Sequence, residues 1–100
     1  MFRFMVRTLE LSRLRERILA AAAANGAEHV RLFGSVARGE DTADSDVDFL
    51  VTLRPGRTLL DLARLELELE AILGRRVDVV TEDSLYEPIR ATALRQAVRV

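Results

Sequence analysis

The stretch Phe33-Gly34-Ser35-Val36-Ala37-Arg38-Gly39, followed by Ser45-Asp46-Val47-Asp48, decides how this chain is read. His29 to Phe33 reads as a short strand with Val30 and Leu32 on one face, and Gly34 ends it. Ser35 to Arg38 reads as one turn of helix. Glu40 to Ser45 is a polar loop. Asp46 to Leu53 is a second strand. Val47, Phe49, Val51 and Leu53 face one way, and Asp46, Asp48, Leu50 and Thr52 the other. Asp46 and Asp48 therefore share a face, with Cα atoms roughly 6.6 Å apart. Two carboxylates crowded in this way repel each other unless a cation sits between them. Oxygen-only donors favour a hard ion, Mg²⁺ or Mn²⁺.

Working outward, Arg76 to Thr81 is a third strand. It carries Asp78 among β-branched neighbours, where an unpartnered carboxylate is costly. If that strand lies beside the second, Asp78 joins the same cluster. Three such carboxylates can hold two metals about 3.5–4 Å apart, a spacing used for in-line phosphoryl chemistry. Gly34 allows close backbone approach to a phosphate. The helical turn opened by Ser35 offers free N–H groups to an anion, and Arg38 adds charge nearby.

The flanks complete the fold class. Thr58 to Leu73 alternates in part like a strand, at Leu65-Glu66-Leu67-Glu68-Leu69. Its strong helix formers and the Gly74 stop predict a helix. Leu9 to Asn25 is a helix with Leu11, Leu14, Ile18, Ala21 and Ala22 at helical spacing, and Asn25-Gly26 ends it. Met1 to Thr8 alternates Phe2, Phe4 and Val6 and reads as a short strand or a loose extension. Pro88 opens a last helix running to about Val98. The expected architecture is one α/β (α+β) domain, a small mixed sheet flanked by helices, over residues 9–100, with residues 1–8 as an extension.

Composition narrows the chemistry. The chain has 100 residues, 49% hydrophobic and 31% charged, a globular balance. It has no cysteine, which excludes thiolate sites and thiol nucleophiles. All 15 basic residues are arginine, which excludes a P-loop lysine and a Schiff base. The single histidine, His29, excludes His–His metal pairs and reads as a strand-end residue. A net charge of −1 argues against a broad grip on nucleic acid. The apolar N-terminal run is broken by Glu10, Arg13, Arg15, Glu16 and Arg17, unlike a secretory core. A cytoplasmic protein with no membrane span is expected.

Each part has an ordinary reading when taken alone. An Asp-x-Asp pair is commonly solvated, and Gly-Ser is commonly a turn. Thr42, Asp44 and Ser45 read as loop and capping residues, and Arg38 serves equally as an ion-pair partner. An EF-hand starting at Asp44 fails, because Phe49 replaces the glycine and Pro55 the glutamate. The conjunction carries the argument: strand, Gly-Ser, loop, Asp-x-Asp strand, helix, then a lone mid-strand Asp.

Gly34-Ser35, ten residues, then Asp46-x-Asp48 resembles the motif of the DNA-polymerase-β-type nucleotidyltransferase superfamily. With Phe33, Ala37, Arg38, Gly39 and Ser45 it is similar to the smallest branch, the minimal nucleotidyltransferases (MNT). These are the antitoxins of HEPN–MNT toxin–antitoxin pairs. The resemblance implies a polymerase-β-like fold, Mg²⁺ (or Mn²⁺) at Asp46, Asp48 and Asp78 as catalytic carboxylates, and nucleotide phosphates at Gly34 and Ser35, with Arg38 beside them. It implies ATP as donor and transfer of AMP to a tyrosine of a HEPN toxin.

A chain of this size spends itself on the catalytic core, so the acceptor is expected to bring its own binding surface. Leu62, Leu65, Leu69 and Ile72 form the core stripe of helix Thr58–Leu73. Leu60, Ala63 and Leu67 form a second stripe, for a partner or for another helix of the same chain. Two other functions stay open. One is a binding-only antitoxin. The other is a nucleotidyltransferase acting on RNA or a small molecule, which the size and near-neutral charge count against.

Overall fold

β-branched and apolar residues collect in three short segments, and these build most of the sheet. The computed structural model describes residues 2–40, 42 and 44–100, with side chains from residue 12 onward. The elements are α1 (Phe2–Ala24), β1 (Ala27–Phe33), α2 (Gly34–Arg38), β2 (Val47–Leu53), α3 (Leu59–Leu73), β3 (Val77–Thr81), a 3-10 turn (Glu82–Ser84), α4 (Ile89–Gln96) and β4 (Val98–Arg99). The sheet order is β3-β2-β1-β4. β1 pairs antiparallel with both β2 and β4, whereas β2 and β3 run parallel, so the sheet is mixed.

One face of the sheet buries Val30, Leu32, Val47, Phe49, Val51, Val77 and Val79 against Ile18 and Ala22 of α1 and Leu65 and Leu69 of α3. Apolar burial of this kind contributes about 25 cal/mol per Å². The stripe expected on α3 is the one that packs inward, with Leu62 and Ile72 half-buried at its edges. Thr58 caps the helix by accepting from the Leu60 N–H at 3.2 Å, and the Asp61 carboxylate accepts from the Thr58 N–H at 2.9 Å. The glutamates that gave α3 its strand-like alternation have a second use. Glu66 accepts from the Val79 N–H at 3.0 Å and Glu70 from the Val77 N–H at 3.1 Å. They cover the outer edge of β3, whose N–H groups would otherwise lie open to a foreign strand.

Two expectations fail. Residues 2–8 are neither strand nor loose extension, because α1 starts at Phe2. No Gly or Pro separates Phe2 from the helix formers that follow, so the helix propagates back through the segment. Met1 and the side chains through Leu11, including the alternation of Phe2, Phe4 and Val6, lie outside the described residues. The last helix does not reach Val98. It stops at Gln96, and Val98–Arg99 pairs with Arg31 and Leu32 as a fourth strand. The open edge of β1 offers a ladder that a β-branched Val-Arg-Val tail takes up readily. Among the described residues no helix is long and apolar enough to cross a membrane.

Candidate active site

The other face of the sheet carries the acids. The register aligns Phe33 with Asp48 across β1 and β2, and Asp48 with Asp78 across β2 and β3. Paired residues point to one side, so Asp48 and Asp78 share a face, on strands about 4.8 Å apart. Asp46 sits just before β2 rather than within it, because the strand begins at Val47. Burial, then the charge of Asp78, then that of Asp46 push the Asp48 carboxyl above its ordinary range, while Arg38 pulls the other way.

Gly34 meets this cluster at the end of β1. Its φ of +73° lies in the left-handed region. A Cβ placed there would overlap the Asp48 Oδ2. Both facts demand glycine, so a bare backbone lies against an acidic side chain where α2 begins. Ser35 is half-buried in the first turn of α2. Arg38 Nε donates to Glu40 Oε1 at 2.7 Å and its Nη1 to Gln96 Oε1 at 3.2 Å. It therefore braces the loop and α4 as well as placing a positive charge near Asp48.

Sequence reasoning missed two arginines. Arg76 Nε lies 3.2 Å from Asp46 Oδ1. Arg75 Nη2 donates to the carbonyls of Thr42 at 2.9 Å and Ser45 at 2.6 Å, fastening the acidic loop that leads into Asp46. The register explains the pairing: β3 runs parallel to β2, so residues just before β3 start level with residues just before β2. Asp46 is thus turned to Arg76. Among the described residues, no three carboxylate or imidazole groups stand placed to enclose an ion. The donor chemistry still fits a hard divalent cation, since every candidate ligand is a carboxylate oxygen, and burial together with the charges of Asp78 and Asp46 disfavours an ionised Asp48 without a counter-charge.

Comparison with known proteins shows the family and the fold. Residues 11–100 match the family described as nucleotidyltransferase domain. The chain belongs to the nucleotidyltransferase family. Protein adenylyltransferase MntA of Thermococcus cleftensis is 43% identical over 93 residues, covering 93% of this chain and 87% of that one. A solved structure described as a candidate minimal nucleotidyltransferase is 52% identical, with a TM-score of 0.82 over 90% of this chain and 92% of that one. A toxin–antitoxin crystal structure with AMP-PNP shares the fold at a TM-score of 0.72 and 22% identity, over 84% of this chain and 69% of that one. The protein is thus a nucleotidyltransferase enzyme with the α/β architecture of minimal nucleotidyltransferases.

Proposed function

We propose that this nucleotidyltransferase moves AMP from ATP onto a tyrosine hydroxyl of a HEPN-type toxin and thereby silences it, in the cytoplasm. The observation that carries the reading is the Asp48–Asp78 register pair with Gly34 pressed against Asp48. The adenylyltransferase relative supports AMP as the group transferred. A fold neighbour solved as a toxin–antitoxin assembly supports the class of partner.

In this reading Gly34 and Ser35 hold the β- and γ-phosphates through backbone N–H groups and the hydroxyl, with Arg38 supplying charge. Asp48 and Asp78, with Asp46 once it turns from Arg76, would hold Mg²⁺ or Mn²⁺, and the ion would supply positive charge against the triphosphate. Asp78, itself exposed on the edge strand β3, accepts the phenolic proton. The tyrosine oxygen bonds to the α-phosphorus, the bond from that phosphorus to the bridging oxygen breaks, and pyrophosphate leaves with that oxygen. A phenol has an unperturbed pKa of about 10, so a carboxylate within reach lowers the barrier to proton loss. Contact-only inhibition is the competing reading.

The test is intact mass of the toxin after incubation with ATP and Mg²⁺. The wild-type protein adds AMP units and Asp46→Asn does not. Silencing of the toxin without any mass shift would establish inhibition by contact instead.

A further inference from the structure

Arg76 lies with its Nε 3.2 Å from Asp46 Oδ1, just before β3 and two residues from Asp78. We propose that Arg76 is a counter-ion that a divalent cation must displace. Its guanidinium holds Asp46 in the metal-free protein and gives way to the ion, and only then does Asp46 become a ligand. The inference rests on the metal-dependent reading above and assigns a residue that reading leaves without a role.

Mechanics are the first argument, because the main chain here is fixed and the side chains are not. The Val47 N–H donates to the Arg76 carbonyl at 2.9 Å, which carries the parallel β2–β3 ladder down to the residue beside Asp46. Arg75 Nη2 donates to the Thr42 and Ser45 carbonyls at 2.9 and 2.6 Å. These bonds fasten the loop before β2 to the residues before β3. The Arg76 side chain, by contrast, is 77% exposed and that of Asp46 48%. Exposed pairs are weak, since water competes for both charges. Arg76 can therefore release Asp46 by side-chain rotation alone, with no ladder bond broken.

Charge is the second. Burial, then the charges of Asp78 and Asp46, push the Asp48 carboxyl up, and Arg38 is the cation that opposes them. Arg38 thus serves Asp48, and Arg76 serves Asp46. A guanidinium is a planar fork matched to one carboxylate, whereas a hard divalent ion gathers several oxygens around itself. Rotation of Asp46 away from Arg76 is the move that would bring a third acid to Asp48 and Asp78. Mg²⁺ is usually held by one or two carboxylates together with substrate phosphates. With Asp46 held back, the protein offers that number and no more. Arg76 thereby biases the site against a bare ion and toward one that arrives with the nucleotide.

The experiment is titration of the full chain with Mn²⁺, without nucleotide, followed by the electron paramagnetic resonance of the free ion. Arg76→Gln should bind Mn²⁺ about three- to fivefold more tightly than the wild type, the scale of an exposed ion pair. In an Asp46→Asn background the same substitution should change the affinity by less than about twofold, because its partner is gone. The Mg²⁺ concentration for half-maximal transfer should fall in Arg76→Gln by the same factor as the Mn²⁺ dissociation constant. Arg76 is exposed, so the variant should fold, checked by circular dichroism in chelator. Unchanged Mn²⁺ affinity in Arg76→Gln overturns the exchange. Equal tightening in both backgrounds overturns it too, since Arg76 then acts through its charge at a distance. Mn²⁺ binding that survives Asp48→Asn, or no binding by the wild type, overturns the metal-dependent reading itself, and the exchange with it.

Discussion

Gly34 and Asp48 stand so close across β1 and β2 that a methyl group on Gly34 would overlap the carboxylate. The contact ties the sharp turn into α2 to the most crowded acid of the sheet. Gly34→Ala therefore carries two penalties. A side chain at a φ of +73° costs about 1–2 kcal/mol, and the overlap displaces Asp48 or the turn. We expect the melting temperature to fall by about 4–15 °C and AMP transfer to fall more than about a hundredfold. Thermal melts beside a transfer assay would check this, and a variant that transfers normally would remove the Gly34–Asp48 contact from the mechanism.

Asp48 makes the metal-free protein sensitive to pH in a defined direction. Its folded-state pKa is raised, so the native state holds this proton more tightly than the unfolded chain does. Its contribution to stability then falls as pH rises from the ordinary carboxylate range through the raised value, and it is unfavourable at neutral pH. Asp48→Asn should melt higher than the wild type at pH 7 in chelator, and the gap should narrow as pH falls. Transfer should be lost at the same time. Equal melting temperatures at pH 7 would show that burial and the neighbouring acids place no penalty on the charged form of Asp48.

Much of this architecture could be read before folding because its signals are local. Period-two alternation placed β2, and Gly74 and the helix formers placed α3. The pleat placed Asp48 on the acidic face, whereas Asp46, expected beside it, lies just before the strand and meets Arg76. What could not be read depends on partners distant in sequence. β4 exists because β1 has an open edge, and two residues carry no periodicity. Helix α1 runs through Phe2–Thr8 because nothing there stops it, while the spacing of Phe2, Phe4 and Val6 suggests a strand. The pairing of Arg76 with Asp46 depends on the parallel register of β2 and β3, which the sequence of either strand leaves open.

Ser35 and Arg38 should separate in their effects. Ser35→Ala removes one hydroxyl from the proposed phosphate turn, and a hydrogen bond to a charged group contributes about 1.5–3 kcal/mol. Its KM for ATP should rise by about 10- to 100-fold, with the melting temperature unchanged. Arg38 is engaged by Glu40 and Gln96 near the surface, where such pairs contribute about 0–1 kcal/mol. Arg38→Ala should lower the melting temperature by a few degrees and raise the KM for ATP less than Ser35→Ala does. Steady-state kinetics of the two variants, run with thermal melts, decide whether Arg38 braces the loop or binds phosphate.

The last prediction concerns the second stripe of α3. Leu59, Leu60 and Leu67 are 80%, 66% and 68% exposed, and Ala63 between them is exposed too. No helix among the described residues covers this face, although Leu65 and Leu69 of the same helix are buried. Apolar side chains at helical spacing on an open face are the form of anchor that protein interfaces use. Replacing Leu60 and Leu67 by glutamate keeps helix propensity and removes no buried contact. The first substitution also places a negative charge in the first turn, where the helix dipole favours it. Folding and ATP binding should therefore persist, with a melting temperature within about 3 °C of wild type. If this face docks the toxin, each substitution should weaken the complex by about 30-fold or more, the scale of an interface hot spot. AMP transfer to the toxin should fall with it at limiting concentration and recover at high toxin concentration. Co-purification of the complex with the double variant at wild-type yield would place the toxin on another face of the molecule.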